Sequence, residues 1–387
     1  MNTAHQERIT VIDALRGFTL LGILIVHTQQ LWGLHIPVPD ANLASKVVNI
    51  FIDAFMVGKF YKVFNMLFGV SFFIILSRAE TKGIDFRARF VWRLVLLIFI
   101  GYLHEFIYTW EALLGYGLIG IPLVFFYKLN KKKVLIIAIA CLAINPFYEP
   151  FFEIVYQHLS NPKSEEIIQV MDNDCLGIEK NQSVGSFLCA HFDDNMKHST
   201  VKRLKYLMEH GPFTTFGLFL IGLFLAKIRF FENTEQKKTL YKKVFYISTF
   251  VFCMFYGIQK LFLSSDAILS GILNSYGSDF FAAILVSGFI LLYTTRIRSL
   301  LDYLIPYGKM GLTNYIAQSV FGLIFFTQAI LGFNDQGIIV RTLIAVLFFV
   351  FQTFVCAYWL RYFAYGPIEW IWRCGTYLKC IPFRKKK

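Results

Sequence analysis

The sequence predicts an all-α protein, a polytopic membrane helix bundle of about ten transmembrane helices. Three observations carry this. Hydrophobic residues make up 56% of the 387 residues and only 16% are charged, against roughly 25% charge in an ordinary soluble domain. Apolar stretches near the ~20 residues that span a bilayer recur along the whole length. They fall at approximately 11 to 31, 48 to 76, 90 to 108, 112 to 127, 134 to 152, 212 to 230, 244 to 263, 276 to 294, 308 to 331 and 338 to 363. Lys and Arg then alternate between connections. Arg78 to Arg93 follow the second stretch, Lys128 to Lys133 the fourth, Lys227 to Lys243 the sixth, Arg296 and Arg298 the eighth, and Arg384 to Lys387 the tenth. The short connections 32 to 45, 109 to 111, 264 to 275 and 332 to 337 hold no Lys or Arg. By the positive-inside rule both termini are expected in the cytoplasm.

The same distribution explains the net charge of +13. The excess belongs to loops facing anionic lipid headgroups, and no basic helix with interleaved aromatics points to nucleic acid. Residues 1–387 read as a single transmembrane domain. The one long polar connection, 153–210, is expected outside the cytoplasm as a small helical cap, since EEIIQVM and VKRLKYLMEH have helical periodicity. Glu7 and Asp13 and the lack of a small-residue cleavage site argue that the first stretch is retained as a span.

In chain order, the first span, VIDALRGFTLLGILIVHTQQLWG, carries Arg16 and His27 eleven residues apart. Eleven residues make three helical turns plus about 20°, so both project from one face roughly 16 Å apart, with Asp13 within about 60° of it. Ionisable side chains inside a membrane segment are costly and usually face a cavity or a partner. An inner Arg suits a phosphate or carboxylate, and a neutral His suits a proton from a hydroxyl or amine. The alternative for Arg16 is an anchor paired with Asp13 that snorkels to headgroups; for His27 it is an interhelical hydrogen bond.

The second span contains Lys59, Lys62 and Asn65 in FMVGKFYKVFNMLFGVSF. A long span can be broken or tilted, and a kink there brings Lys59 towards a cavity as a contact for an anionic ligand. The third, RFVWRLVLLIFIGYLHEFIYTWEALLGYG, repeats the eleven-residue spacing in Arg93 and His104, with Glu105 and Glu111 at its outer end. Glu111 either turns back to orient His104 or is solvated. In the ninth, Asn314 and Gln318 lie four apart and stack on one face, where they bind a substrate or a neighbouring helix. The ending YGPIEWIWR reads as an interfacial anchor with Glu369 and Arg373 as an i, i+4 pair.

Among seven cysteines no CxxC pair occurs, which argues against a metal or dithiol site. Cys175 and Cys189 both fall in the long outer connection, where a disulfide or two separate thiols are the alternatives. No phosphate loop, HExxH, nucleophile elbow or dinucleotide fingerprint is present.

Taken together, IDALRGFTLLGIL, FNMLFGVSF, the segment from Arg93 to His104 with WEALLGYG after it, GKMGLTNYIAQS and GPIEWIWR resemble the YeiB-like membrane proteins that carry domain of unknown function 418. The resemblance runs from residue 8 to residue 376. That family is similar in its first span to the acyltransferase-3 proteins and the heparan glucosaminide acetyltransferases. The acyltransferase-3 pattern, an Arg, ten residues and a His, falls here on Arg16 and His27. The resemblance implies a bacterial cytoplasmic-membrane acyltransferase. Acetyl-coenzyme A would be bound from the cytoplasm, and the acyl group delivered to an extracytoplasmic glycan or small metabolite. It implies His27 as general base, with His104 the second candidate because many members carry Asn at the position of His27. Arg16 and Lys59 would hold the donor, and Asn314 with Gln318 the acceptor; no metal is implied. The alternative is a transporter whose intramembrane ionisable groups form a substrate or proton path. The oligomeric state is left open.

Overall fold

The structure, a computed structural model, describes residues 9–30, 42–108, 112–159, 211–262, 267–326, 331 and 336–385. Glu111, Cys175, Cys189 and residues 160–210 of the expected cap lie outside them. The described residues are nearly all helical, and their one β contact is an isolated bridge between Phe363 and Arg384.

The helices are α1 (Thr10–Gln30), α2 (Leu43–Phe55), α3 (Phe60–Glu80), α4 (Arg87–His104), α5 (Ala112–Gly120), α6 (Leu123–Phe126), α7 (Lys131–Leu159) and α8 (Pro212–Lys227). They continue as α9 (Lys238–Phe262), α10 (Ala267–Tyr293), α11 (Arg298–Leu301), α12 (Leu304–Lys309), α13 (Gly311–Phe326), α14 (Ile338–Tyr362) and α15 (Pro367–Tyr377). Among the described residues, five helical segments are long and apolar enough to cross a membrane: Thr10–Gln29, Leu43–Glu80, Thr234–Leu261, Ile268–Tyr293 and Ile338–Tyr362. Helices Pro212–Lys227 and Gly311–Phe326 are apolar but shorter.

Three expected spans are interrupted. The second is divided between α2 and α3 by a turn in which Gly58 takes a left-handed conformation (φ 74°) that a side chain would strain. The fourth breaks at Ile121 and Pro122, between α5 and α6. The ninth breaks at Met310, between α12 and α13. The fifth runs on to Leu159, into the region read as the start of the cap.

The centre of the bundle is α1, with Leu15, Leu20 and Leu24 fully buried. It packs against α3, α10, α12, α13 and α14. Other close pairs are α3 with α8, α7 with α8, α4 with α5, α4 with α15, and α9 with α10. Small residues set the distances, because lipid gives helices no hydrophobic drive to associate and backbone approach must do more. A Cβ at Gly69 would overlap the carbonyl oxygen of Phe219, and one at Gly222 that of Met66, so α3 and α8 cross backbone on backbone. Gly308 of α12 meets the backbone of Asp13 in the same way. Large apolar side chains such as Phe250, Leu261, Leu347 and Phe354 stay exposed, as expected of surfaces that face lipid.

Candidate functional site

A cavity of about 1340 Å³ opens between α1, α3, α4, α5, α13 and α15, larger than the usual 300–1,000 Å³ ligand pocket. Arg16 and His27 both sit in its wall, on the helical face they share.

At one end of the cavity Arg16 donates to Asp13 Oδ1 (3.1 Å), to the Gly308 carbonyl (3.4 Å) and to the Ser71 hydroxyl (2.9 Å). Its side chain keeps 22% exposure and Asp13 6%. The break at Met310 explains the second bond. Where α12 ends, carbonyls lose their helical partners and must find others. The Gly308 carbonyl takes Arg16, and that of Tyr307, which also accepts the Met310 N–H, takes the Asn314 amide at 2.9 Å.

The start of α13 is capped by α15. Glu369 Oε1 accepts from the backbone N–H groups of Leu312 (2.7 Å) and Thr313 (3.0 Å), and Oε2 accepts the Thr313 hydroxyl (2.5 Å). The expected i, i+4 pairing with Arg373 does not form; the carboxylate instead satisfies two orphan helix donors. Arg373 lies over the Tyr365 ring, 4.5 Å from its centroid. Arg93 lies 3.5 Å from the centroid of Trp372, whose indole N–H donates to the Arg93 carbonyl at 2.8 Å. Arg78, Arg93, Lys309 and Arg373 thus join Arg16 in the cavity wall, with Asp13 and Glu369 already engaged.

At the other end the two histidines, from α1 and α4, meet across two tyrosines. The Tyr108 ring centroid is 5.2 Å from His27 and 6.1 Å from His104. Tyr315 of α13 is 6.2 Å from His27 and 5.4 Å from His104. His27, Tyr108 and Tyr315 line the cavity, while His104 is only 2% exposed.

Other sequence candidates lie elsewhere. Lys59 does sit at a break, but it is 5% exposed and its amino group turns back to the Asp53 carbonyl (3.0 Å) instead of entering the cavity wall. The ammonium completes the open end of α2, a closer source of oxygen than the cavity. Asn314 donates to the Tyr307 carbonyl and to Cys356 Sγ. Gln318 donates to the Leu20 carbonyl (3.3 Å) and to the Tyr307 hydroxyl (2.7 Å). Both amides are buried and tie α13 to α1, α12 and α14. Lys62 pairs with Asp279 of α10 at 2.7 Å. Sequence reasoning passed over Tyr108 and Tyr315. The only hint was that Tyr108 follows His104 by one helical turn, and 20 tyrosines obscure any single one.

Residues 225–379 match the family described as protein of unknown function (DUF418). The chain is 27% identical to the uncharacterized protein YxaH of Bacillus subtilis (strain 168), over 99% of this chain and 98% of that protein. It is 28% identical, over 99% of this chain and 98% of the other, to an uncharacterized 39.9 kDa protein in the amylase 3' region of Bacillus acidopullulyticus. No solved structure matches. The matched segment contains α13 with Tyr315 and α15 with Glu369, Trp372 and Arg373, and over that segment the chain is similar to the DUF418 family.

Proposed function

We propose that the protein is a bacterial cytoplasmic-membrane acyltransferase. It moves an acyl group, acetyl in the simplest case, from cytoplasmic acyl-coenzyme A to an extracytoplasmic acceptor such as a glycan or a small metabolite. Both termini and the basic loops face the cytoplasm in this reading, and the Arg16 end of the cavity opens there. The observation that carries it is one cavity with Arg16, Arg78, Arg93, Lys309 and Arg373 in its wall together with His27. Guanidinium and ammonium groups suit the phosphates of a coenzyme A donor. An imidazole about 16 Å farther along α1 suits removal of a proton from an acceptor hydroxyl. The scheme calls on no metal.

The test supplies radiolabelled acetyl-coenzyme A to inside-out vesicles bearing wild type or His27→Ala. Wild type transfers label to a lumenal acceptor, and His27→Ala reduces the rate by about 10² to 10⁴, the usual contribution of a positioned general base. No transfer, with solute flux intact, overturns the reading in favour of a transporter. One observation favours that second reading: the interrupted pairs α2/α3 and α12/α13 both border the cavity, as broken helices border transporter sites.

A further inference from the structure

We propose a division of labour between the two histidines: His27 alone meets the acceptor, and His104, Tyr108 and Tyr315 are positioning residues that hold its imidazole. This rests on the acyltransferase reading.

The first observation is access. His27 is half-buried in the cavity wall, whereas His104 is 2% exposed and is not among the residues that line the cavity. A group that takes a proton from a substrate must reach it within hydrogen-bond distance, so geometry selects His27.

The second is the arrangement of the rings. Each tyrosine touches both imidazoles, with centroids between 5.2 and 6.2 Å. The four rings come from α1, from α4 with the turn after it, and from α13. That turn is itself fixed, because the N–H groups of Ile107 (2.8 Å) and Tyr108 (3.0 Å) both donate to the His104 carbonyl. His27 Nδ1, His104 Nε2 and both phenol oxygens are buried among these rings.

The chemistry needs such support. A neutral imidazole accepts a proton on one nitrogen only while the other holds one, and the surroundings of the second nitrogen set which is which. In a hydrolase triad a carboxylate does this. Here the orienting groups are aromatic: two phenols and a second imidazole. In the step itself His27 takes the acceptor hydroxyl proton as the acceptor oxygen bonds to the thioester carbonyl carbon. When the carbon–sulfur bond breaks, the imidazolium returns that proton to the leaving thiolate. Ester and thiol are the products, and no further reactant is consumed.

The test measures transfer from radiolabelled acetyl-coenzyme A to the native acceptor of inside-out vesicles, with kcat and KM for the donor. The variants are His27→Ala, His27→Gln, His104→Ala, His104→Gln, Tyr315→Ala and Tyr315→Phe. Both His27 variants are expected to lose about 10²-fold or more in kcat. His104→Ala and Tyr315→Ala should lose up to about 10²-fold in kcat, the scale of a misplaced catalytic group, with KM unchanged. His104→Gln and Tyr315→Phe, which refill the space, should recover most of it. Thermal midpoints in detergent identify any variant that has lost its fold, and the two conservative variants then carry the comparison.

Abolition by His104→Ala with activity left in His27→Ala makes His104 the base and overturns the assignment. Wild-type kcat in both His104→Ala and Tyr315→Ala removes the positioning role. Transfer absent from wild-type vesicles sinks the acyltransferase reading itself, a result distinct from either.

Discussion

Glu369 separates two accounts of the C-terminal helix. As half of an i, i+4 pair with Arg373 on an interfacial helix, it would contribute about 0.3–0.5 kcal/mol. The geometry gives it a different task, since it accepts three hydrogen bonds, at 2.7, 3.0 and 2.5 Å, from the first turn of α13. Hydrogen bonds to a charged group contribute about 1.5–3 kcal/mol each when buried, but N-caps measured as a unit contribute about 0.5–2 kcal/mol. Leu312 borders the cavity, where water can replace part of what is lost. Glu369→Ala should therefore destabilise by about 2 kcal/mol, roughly a thirtyfold change in the folding equilibrium. Glu369→Gln, which keeps an acceptor oxygen, should cost about half as much. Arg373→Ala removes the contact with Tyr365, worth about 0.5–1 kcal/mol. The assay is unfolding in detergent followed by tryptophan fluorescence, with Trp370 and Trp372 next to the perturbation. If Glu369→Ala proves no costlier than Arg373→Ala, and the double variant shows the two residues coupled, the capping account fails.

Two further outcomes follow from the packing. Gly222→Ala should lower the thermal midpoint through an overlap with the Met66 carbonyl worth about 1–3 kcal/mol. Gly271→Ala, whose new methyl meets nothing within 4 Å, should be neutral or mildly stabilising. Lys62→Met should cost about 3–5 kcal/mol by leaving the Asp279 carboxylate uncompensated, while Lys62→Met with Asp279→Leu should recover most of that; detergent melting curves of the three proteins check both steps.

How far the sequence could be read depended on the range of each interaction. The Asp13–Arg16 ion pair was visible because i, i+3 neighbours on a helix are held together by local geometry. The interruption before Lys59 was visible as an overlong apolar stretch, but the direction of the ammonium was not, since the Asp53 carbonyl that receives it becomes available only once α2 has ended. Asn314 and Gln318 showed as costly polar groups in an apolar span. Their choice of partners depended on Tyr307, Cys356 and Leu20, which other helices bring to them. Glu369 was read against its nearest opposite charge in sequence, whereas its partners belong to a helix more than fifty residues earlier.

Hydrophobicity and charge along the chain were enough to determine a helical membrane protein, the approximate place of its helices, and a first helix presenting Arg16 and His27 on one face. These are consequences of composition and a 3.6-residue period, and need no knowledge of neighbours. The tertiary structure decided that this face lines a cavity, that cations from four other helices join Arg16 there, and that His27 and His104 meet across Tyr108 and Tyr315. Contacts between helices are set by which small residues let backbones approach and where breaks leave polar groups to be satisfied, and neither is written in the local periodicity of any one segment.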